Sequence, residues 1–292
     1  MRLRLILVTA GVVCLSPVLG VTLLAQAPAA APATQKPAAA TQKPQVPRGQ
    51  STAINRREPP SDKPAPRSAE GKILLGGATP AQKGIWTPQF GITDPILEAN
   101  KVPFKPWAKA LYNYRQSNEL EPHARCKASG VARQFLTPYG VEFVEHPEAQ
   151  RLYIFDIGGP HTFRTVYMDG RTHPKDLLPS YYGHSIGWWE GDTLVVETTG
   201  YNERFWLDRR GLPHTEKLRT LERFTRTSAE GIKYEATIDD PGAYTAPWTG
   251  WFFIRFNADQ ELFEYVCQQA NYAHELMVGE ADSVDRATTI IP

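Results

Sequence analysis

Residues 183–200 read GHSIGWWEGDTLVVETTG, and the reading of this stretch decides the fold. Its first five residues match G-x-S-x-G, the turn that presents a nucleophilic serine between a buried strand and a helix in α/β folds. The flanks do not build that turn. HPKDLLPSYY (173–182) precedes it and, with Pro174 and Pro179, reads as an extended loop. WWEGDTLVVETT (188–199) follows, two alternating runs around Gly191 that read as a β-hairpin rather than a helix. Ser185 is therefore expected to be an ordinary strand residue. Alternation sets His184, Ile186, Trp188 and Glu190 on one face of the strand and Ser185 and Trp189 on the other.

The same period runs through the neighbouring sequence. VEFVEH (141–146), RLYIFDI (151–157), TFRTVYM (162–168), HSIGWWE (184–190), DTLVVETT (192–199), LRTLERFTRT (218–227), IKYEATID (232–239), GWFFIRF (250–256) and ELFEYVC (261–267) all read as strands. GG, DG, EGD, AEG and NADQ separate several of them as turn signals. Short strands at regular spacing predict a mainly β fold, an antiparallel barrel or sandwich with a lipocalin-like meander. One or two short helices are expected ahead of it. The better candidate is PWAKALYNYRQSNE (106–119), where Pro106 suits the first turn and Trp107, Leu111 and Tyr114 share a face. ILLGGATPAQKGIWTPQFGITDP (73–95), rich in Gly and Pro, is expected to wrap the domain irregularly.

Composition divides the chain of 292 residues into three parts. Residues 1–25 have the layout of a secretory leader, with Arg2 and Arg4 ahead of a long apolar run and small residues. The run approaches the length of a membrane anchor, but Pro17 and Gly20 within it favour a cleaved leader and a periplasmic or secreted bacterial protein. Residues 26–71 read as a disordered linker of Ala, Pro, Gln and Lys, with ATQKP at 33–37 and again at 40–44. Residues 72–292 then form a single β-rich domain. Loss of the leader takes 32 basic residues to 30 against 31 acidic. Near-neutrality gives no basis for nucleic-acid binding, and no stable membrane insertion is expected once the leader is removed. Beyond the leader only Cys126 and Cys267 remain, and in an oxidising compartment two cysteines suggest one disulfide, with two buried thiols as the alternative.

Candidate functional residues lie at loop and strand edges. His173, His184 and His214, with Glu222, Asp239 and Asp240, supply the partners of general acid–base chemistry. The three histidines lack any local metal-ligand spacing, so no metal and no cofactor is expected. Trp188, Tyr244 and Trp248, with Arg171, are the candidate walls of an aromatic-lined ligand site.

The order of PF-x-PWAKALY, ARC, MDGRTHP, GHSIGWWEGDTLVVETTGYN, LDRRGLPHTEKLRTLERF, TIDDPGAYTAPW and EYVCQQAN, over roughly residues 103–275, resembles a family of secreted proteins from soil bacteria with no assigned activity. The WEGDTLVVET and TIDDP-x-x-YT-x-PW segments carry most of that likeness. The resemblance implies export, a β-rich domain and paired cysteines at Cys126 and Cys267. It also implies a histidine kept at His214 and other residues tolerated at His173 and His184, which makes His214, Glu222 and Asp239 the favoured cluster over a three-histidine metal site. The combined expectation is an exported barrel that binds a small apolar or aromatic molecule, with lyase, isomerase or hydrolase chemistry as an option centred on His214, Glu222, Asp239 and His184. A non-catalytic carrier and an envelope interaction module are the competing expectations.

Overall fold

Period-two alternation from Val141 onward winds the chain into a closed barrel. The computed structural model describes residues 59–79, 81–89, 96 and 98–267; the leader and residues 26–58 of the expected linker lie outside these. The barrel consists of β1 (Gly84–Pro88), β2 (Val141–His146), β3 (Arg151–Asp156), β4 (Thr162–Tyr167), β5 (His184–Glu190), β6 (Thr193–Thr199), β7 (Arg219–Ser228), β8 (Gly231–Asp239) and β9 (Trp248–Ala258). Each strand pairs with the next, and β1 returns to β9 through Gly84↔Ala258 to Pro88↔Ile254.

The mainly β, barrel expectation holds, with three local differences. The β4–β5 pair is parallel and only two residue pairs long, Val166↔Ser185 and Tyr167↔Ile186. The 168–183 connection is the crossover that a parallel pair requires. GIWTP, expected to be irregular, is strand β1, whereas ELFEYVC forms no strand. Closure explains both, because β1 occupies the edge of β9 and leaves no free edge for another strand. Residues 261–267 instead run exposed to Cys267, which is bonded to Cys126.

Helix α1 (Pro106–Asn118) starts at the expected proline but turns a different face inward. Ala108, Tyr112 and Arg115 are buried, while Trp107 and Tyr114 are exposed. Polar anchoring decides the rotation. The Arg115 guanidinium lies 4.9 Å from the Trp206 ring and pairs with Glu119, and Tyr112 packs on Phe104.

The barrel axis is filled. Phe135, from a short 3-10 turn at Arg133–Leu136, lies between the strands, 6.2 Å from Phe143 (β2), 5.3 Å from Phe224 (β7) and 4.7 Å from Tyr234 (β8). Glycine at 130 lets this plug seat. It adopts φ +71°, and a Cβ there would stand 2.2 Å from the Phe205 ring. Residues 59–71, the end of the expected linker, lie against the barrel, with Ala229 N–H donating to Lys63 O and Arg67 paired with Asp192. The strap continues through Leu74 and Leu75, whose carbonyls accept from Arg226 and from Trp86 Nε1, the latter at 2.8 Å. Among the described residues no helix is long and apolar enough to cross a membrane.

Candidate functional site

The side chains singled out above separate into distinct places. Ser185 and Glu222 point into the barrel axis, in phase with buried Gly187 on β5 and with buried Thr220 and Phe224 on β7. Both are buried beside Arg164. Arg164 donates from Nε to Ser185 Oγ (2.9 Å), from Nη1 to Glu222 Oε1 (3.1 Å) and from Nη2 to Thr198 Oγ1 (2.7 Å) and Glu222 Oε2. Tyr234 adds a hydroxyl to Glu222 Oε1 at 2.9 Å, and the Ser185 and Thr198 hydroxyls share a 2.8 Å bond. The Glu222 charge raises the Arg164 guanidinium against the lowering effect of burial, and burial raises the Tyr234 phenol. Glu222 is thus half of a buried ion pair and Ser185 one of its ligands.

His214, Tyr244 and Trp248 meet in a second buried cluster. His214 Nε2 lies 3.0 Å from Phe205 O and Nδ1 3.4 Å from Thr215 O, with the ring 4.1 Å from the Phe205 ring. Burial lowers this imidazole to about 4. The carboxylate beside it is Asp240, not Asp239. Asp240 accepts from Thr215 N (2.6 Å), Thr215 Oγ1 (2.7 Å) and Gly242 N (2.8 Å), closing the DDPG turn against the 211–216 loop. Asp239, the last residue of β8, sits opposite Arg219 in the ladder and stays half-buried. Tyr244 donates to Pro213 O at 2.6 Å and stands edge-on to Trp248. Asp208 lies in the same region, raised by burial to about 6, and its Oδ1 accepts from the backbone N–H groups of Arg210 and Leu212.

His184 and Arg171 belong to the side of the barrel. Because the parallel β4–β5 pair is so short, the two strands part towards Thr162 and leave a cleft of about 480 Å³. Its walls include His161, Thr162, Phe163, Tyr181, Tyr182 and His184. A hydroxyl chain leads inward from this cleft. Thr162 Oγ1 donates to Tyr182 Oη, and Tyr182 donates to Asp156 Oδ2, each at 3.0 Å. Asp156 is buried, and that burial lifts its carboxyl to about 7. Beyond it, Ser129 Oγ lies 2.8 Å from Nδ1 of His123, an imidazole that burial lowers to about 4. At the cleft edge His184 stacks on Tyr167, whose ring Arg171 approaches to 3.9 Å while paired with Asp169. Gly183, at φ +59°, delivers His184 here, since a Cβ on it would stand 2.3 Å from Thr199 O.

A larger and more apolar pocket, about 740 Å³, opens at the barrel mouth beneath the 68–74 strap. Ile73, Leu74, Leu152, Met168 and Trp189 line it, together with the charged Glu70, Lys72, Glu145, Arg151 and Asp192. Trp188, the residue expected to line a ligand site, points outward and donates to Glu190 Oε1 at 2.9 Å. Its neighbour Trp189 is the one that reaches the pocket.

Sequence reasoning passed over Arg164 and Asp156, although strand parity marks both. Arg164 is in phase with buried Val166, and Asp156 with buried Leu152 and Ile154. No family model matches the chain, and no curated protein or solved structure matches it.

Proposed function

We propose that this chain is an exported barrel protein that binds a small apolar or ring-bearing molecule in the mouth pocket beneath the 68–74 strap. The observation that carries the proposal is the pocket itself. Five apolar side chains line a volume within the range of small-molecule sites, and charged side chains in the same lining offer a polar anchor for one end of the molecule. Trp189 supplies a flat ring for stacking, and the strap above is held by Arg226 and by the Arg67–Asp192 pair. The Cys126–Cys267 disulfide and the leader-like N-terminus support export. The filled axis favours this end pocket over a site within the barrel.

A thermal-shift screen of the full chain against small aromatic and alicyclic compounds tests the proposal. A ligand present at 100 times its Kd adds about 2.7 kcal/mol, or roughly 5–10 °C for a domain of this size. Absence of any stabilising compound from a broad apolar panel counts against the proposal.

Turnover is the second reading, favoured by the Thr162–Tyr182–Asp156 chain. A buried carboxyl near neutrality, linked by two hydroxyls to the floor of an aromatic-lined cleft, has the elements of a general acid–base relay. His214, expected to serve that role, lines neither cleft.

A further inference from the structure

The β4–β5 cleft and the mouth pocket differ in chemistry. Ile73, Leu74, Leu152 and Met168 give the mouth pocket an aliphatic lining, whereas among the described residues no Leu, Ile, Val or Met lines the cleft. Aromatic rings and hydroxyls take their place. On β4, Phe163, Thr165 and Tyr167 share the outward parity and all line the cleft, and Ser180, Tyr181 and Tyr182 join them from the crossover. Arg164, among the described residues the one lining side chain with a fixed charge, is turned onto Glu222. The cleft therefore presents no fixed charge to a ligand. One wall is held rigidly: Tyr167 carries the His184 ring at 4.9 Å and the Arg171 guanidinium at 3.9 Å, and His184 is hydrogen-bonded to His173 through Nδ1 at 2.9 Å. The other wall is an open ring. Phe163 is 55% exposed and lies 5.9 Å from both Tyr153 and Phe155, which point outward from β3. Core packing does not account for three contacting rings on an outer face.

We propose that this cleft binds a neutral saccharide chain, with one pyranose ring against Phe163 and the next over Tyr153 and Phe155. A pyranose matches both halves of the lining. Its C–H faces are apolar and carry weakly positive hydrogens, which favour the negative face of an aromatic ring. Its rim of hydroxyls donates and accepts, and is satisfied by hydroxyl partners that do the same. Thr162 is set for this role. It donates to Tyr182 Oη at 3.0 Å, and Tyr182 donates onward to Asp156, so the Thr162 oxygen keeps lone pairs for a sugar hydroxyl. An aliphatic ligand would leave these groups unpaired and is better suited by the mouth pocket. A charged sugar would meet no counter-ion. The cleft and the outer cluster join at Phe163, so a chain leaving the cleft continues over Tyr153 and Phe155. The cleft volume of about 480 Å³ is within the range of small-molecule sites. Saccharide binding here requires neither a ligand in the mouth pocket nor turnover at Asp156.

Titration of the isotope-labelled full chain with neutral oligosaccharides of glucose and of N-acetylglucosamine, from the methyl monosaccharide upward, followed by two-dimensional NMR, tests the site. Saturable shifts on β3, β4 and residues 180–184 are expected, with affinity rising as the chain lengthens. Phe163→Ala should weaken binding of every chain by about tenfold or more. Tyr153→Ala should weaken the longer chains and leave the monosaccharide unchanged. Thr162→Val, which keeps the shape and removes the hydroxyl, should weaken all of them about tenfold. Trp107→Ala, at an exposed ring on α1, should change nothing. Phe163, Tyr153 and Thr162 are not buried, and the spectrum of each variant reports its fold before titration. No shift with any oligosaccharide, equal affinity in the folded Phe163→Ala variant, or affinity independent of chain length overturns the proposal. Shifts confined to Trp189 and the 68–74 strap would place the sugar in the mouth pocket and overturn it too. Self-association that Phe163→Ala abolishes, without saccharide binding, would assign the rings to a second copy of the chain instead.

Discussion

Replacing Glu222 with glutamine keeps the shape of the side chain but removes the carboxylate that, among the described residues, is bonded to the buried Arg164 guanidinium. Neither group reaches water, so the unpaired cation keeps its full desolvation cost. Breaking a pair of this kind costs about 3–5 kcal/mol. For a domain of this size that is a fall of roughly 6–20 °C in Tm. Arg164→Met strands the other charge and should cost a similar amount. The double variant, Arg164→Met with Glu222→Leu, removes both charges together. Ser185 and Thr198 still bond each other, and only the Tyr234 hydroxyl loses its acceptor, a loss of about 1–3 kcal/mol. Urea unfolding monitored by tryptophan fluorescence should therefore give a double-variant cost at least about 3 kcal/mol below the sum of the singles, with unchanged m-values. Glu222→Gln within about 1 kcal/mol of the parent, or strictly additive costs, would refute the buried-pair argument.

Two further outcomes follow from the same interior. Asp156 has a folded-state value near 7, above its unfolded value near 4, so the unfolded chain releases this proton first as pH rises. The group therefore lowers native stability progressively between about pH 4 and 7, by at most roughly 1.4 kcal/mol per pH unit. Relative to the parent, Asp156→Asn should gain stability with rising pH across that window, and a pH-independent difference in unfolding free energy contradicts this. Cys267→Ser opens a loop with a sequence separation of 141, for which the chain-entropy model gives about 4–5 kcal/mol. Residues 261–266 are mostly exposed, so the native tail also gains freedom when released, and the measured cost should fall well below that figure. A full-sized loss would mean that the tail contributes more packing than its exposure indicates.

Eight of the nine sequence-read strands lie in the barrel, because each carries alternation strong enough to outweigh its turns. The ninth position was not legible. GIWTP is too short and proline-bounded to show a period, whereas ELFEYVC alternates well but meets a sheet already closed by β1. The face of α1 was misjudged for a related reason. Trp107, Leu111 and Tyr114 are more apolar than Ala108, Tyr112 and Arg115, yet the guanidinium–indole contact with Trp206 turns the latter set inward. Site residues were legible only in part. Asp239 and Asp240 are adjacent and chemically alike, and only the end of β8 at Asp239 determines which one turns inward. The meeting of His173 with His184 depends on the path of the 168–183 crossover, which no local period encodes.

The proposed ligand site is tested most directly by equilibrium titration of a stabilising ring compound into the parent chain, Leu74→Glu and Trp189→Ala. Both positions line the mouth pocket, and neither side chain is fully buried, so the barrel should remain intact. Saturable binding at one site in the parent, weakened more than about tenfold in each variant, is the expected result. Unchanged affinity in both folded variants would place the ligand elsewhere and contradict the assignment of the pocket.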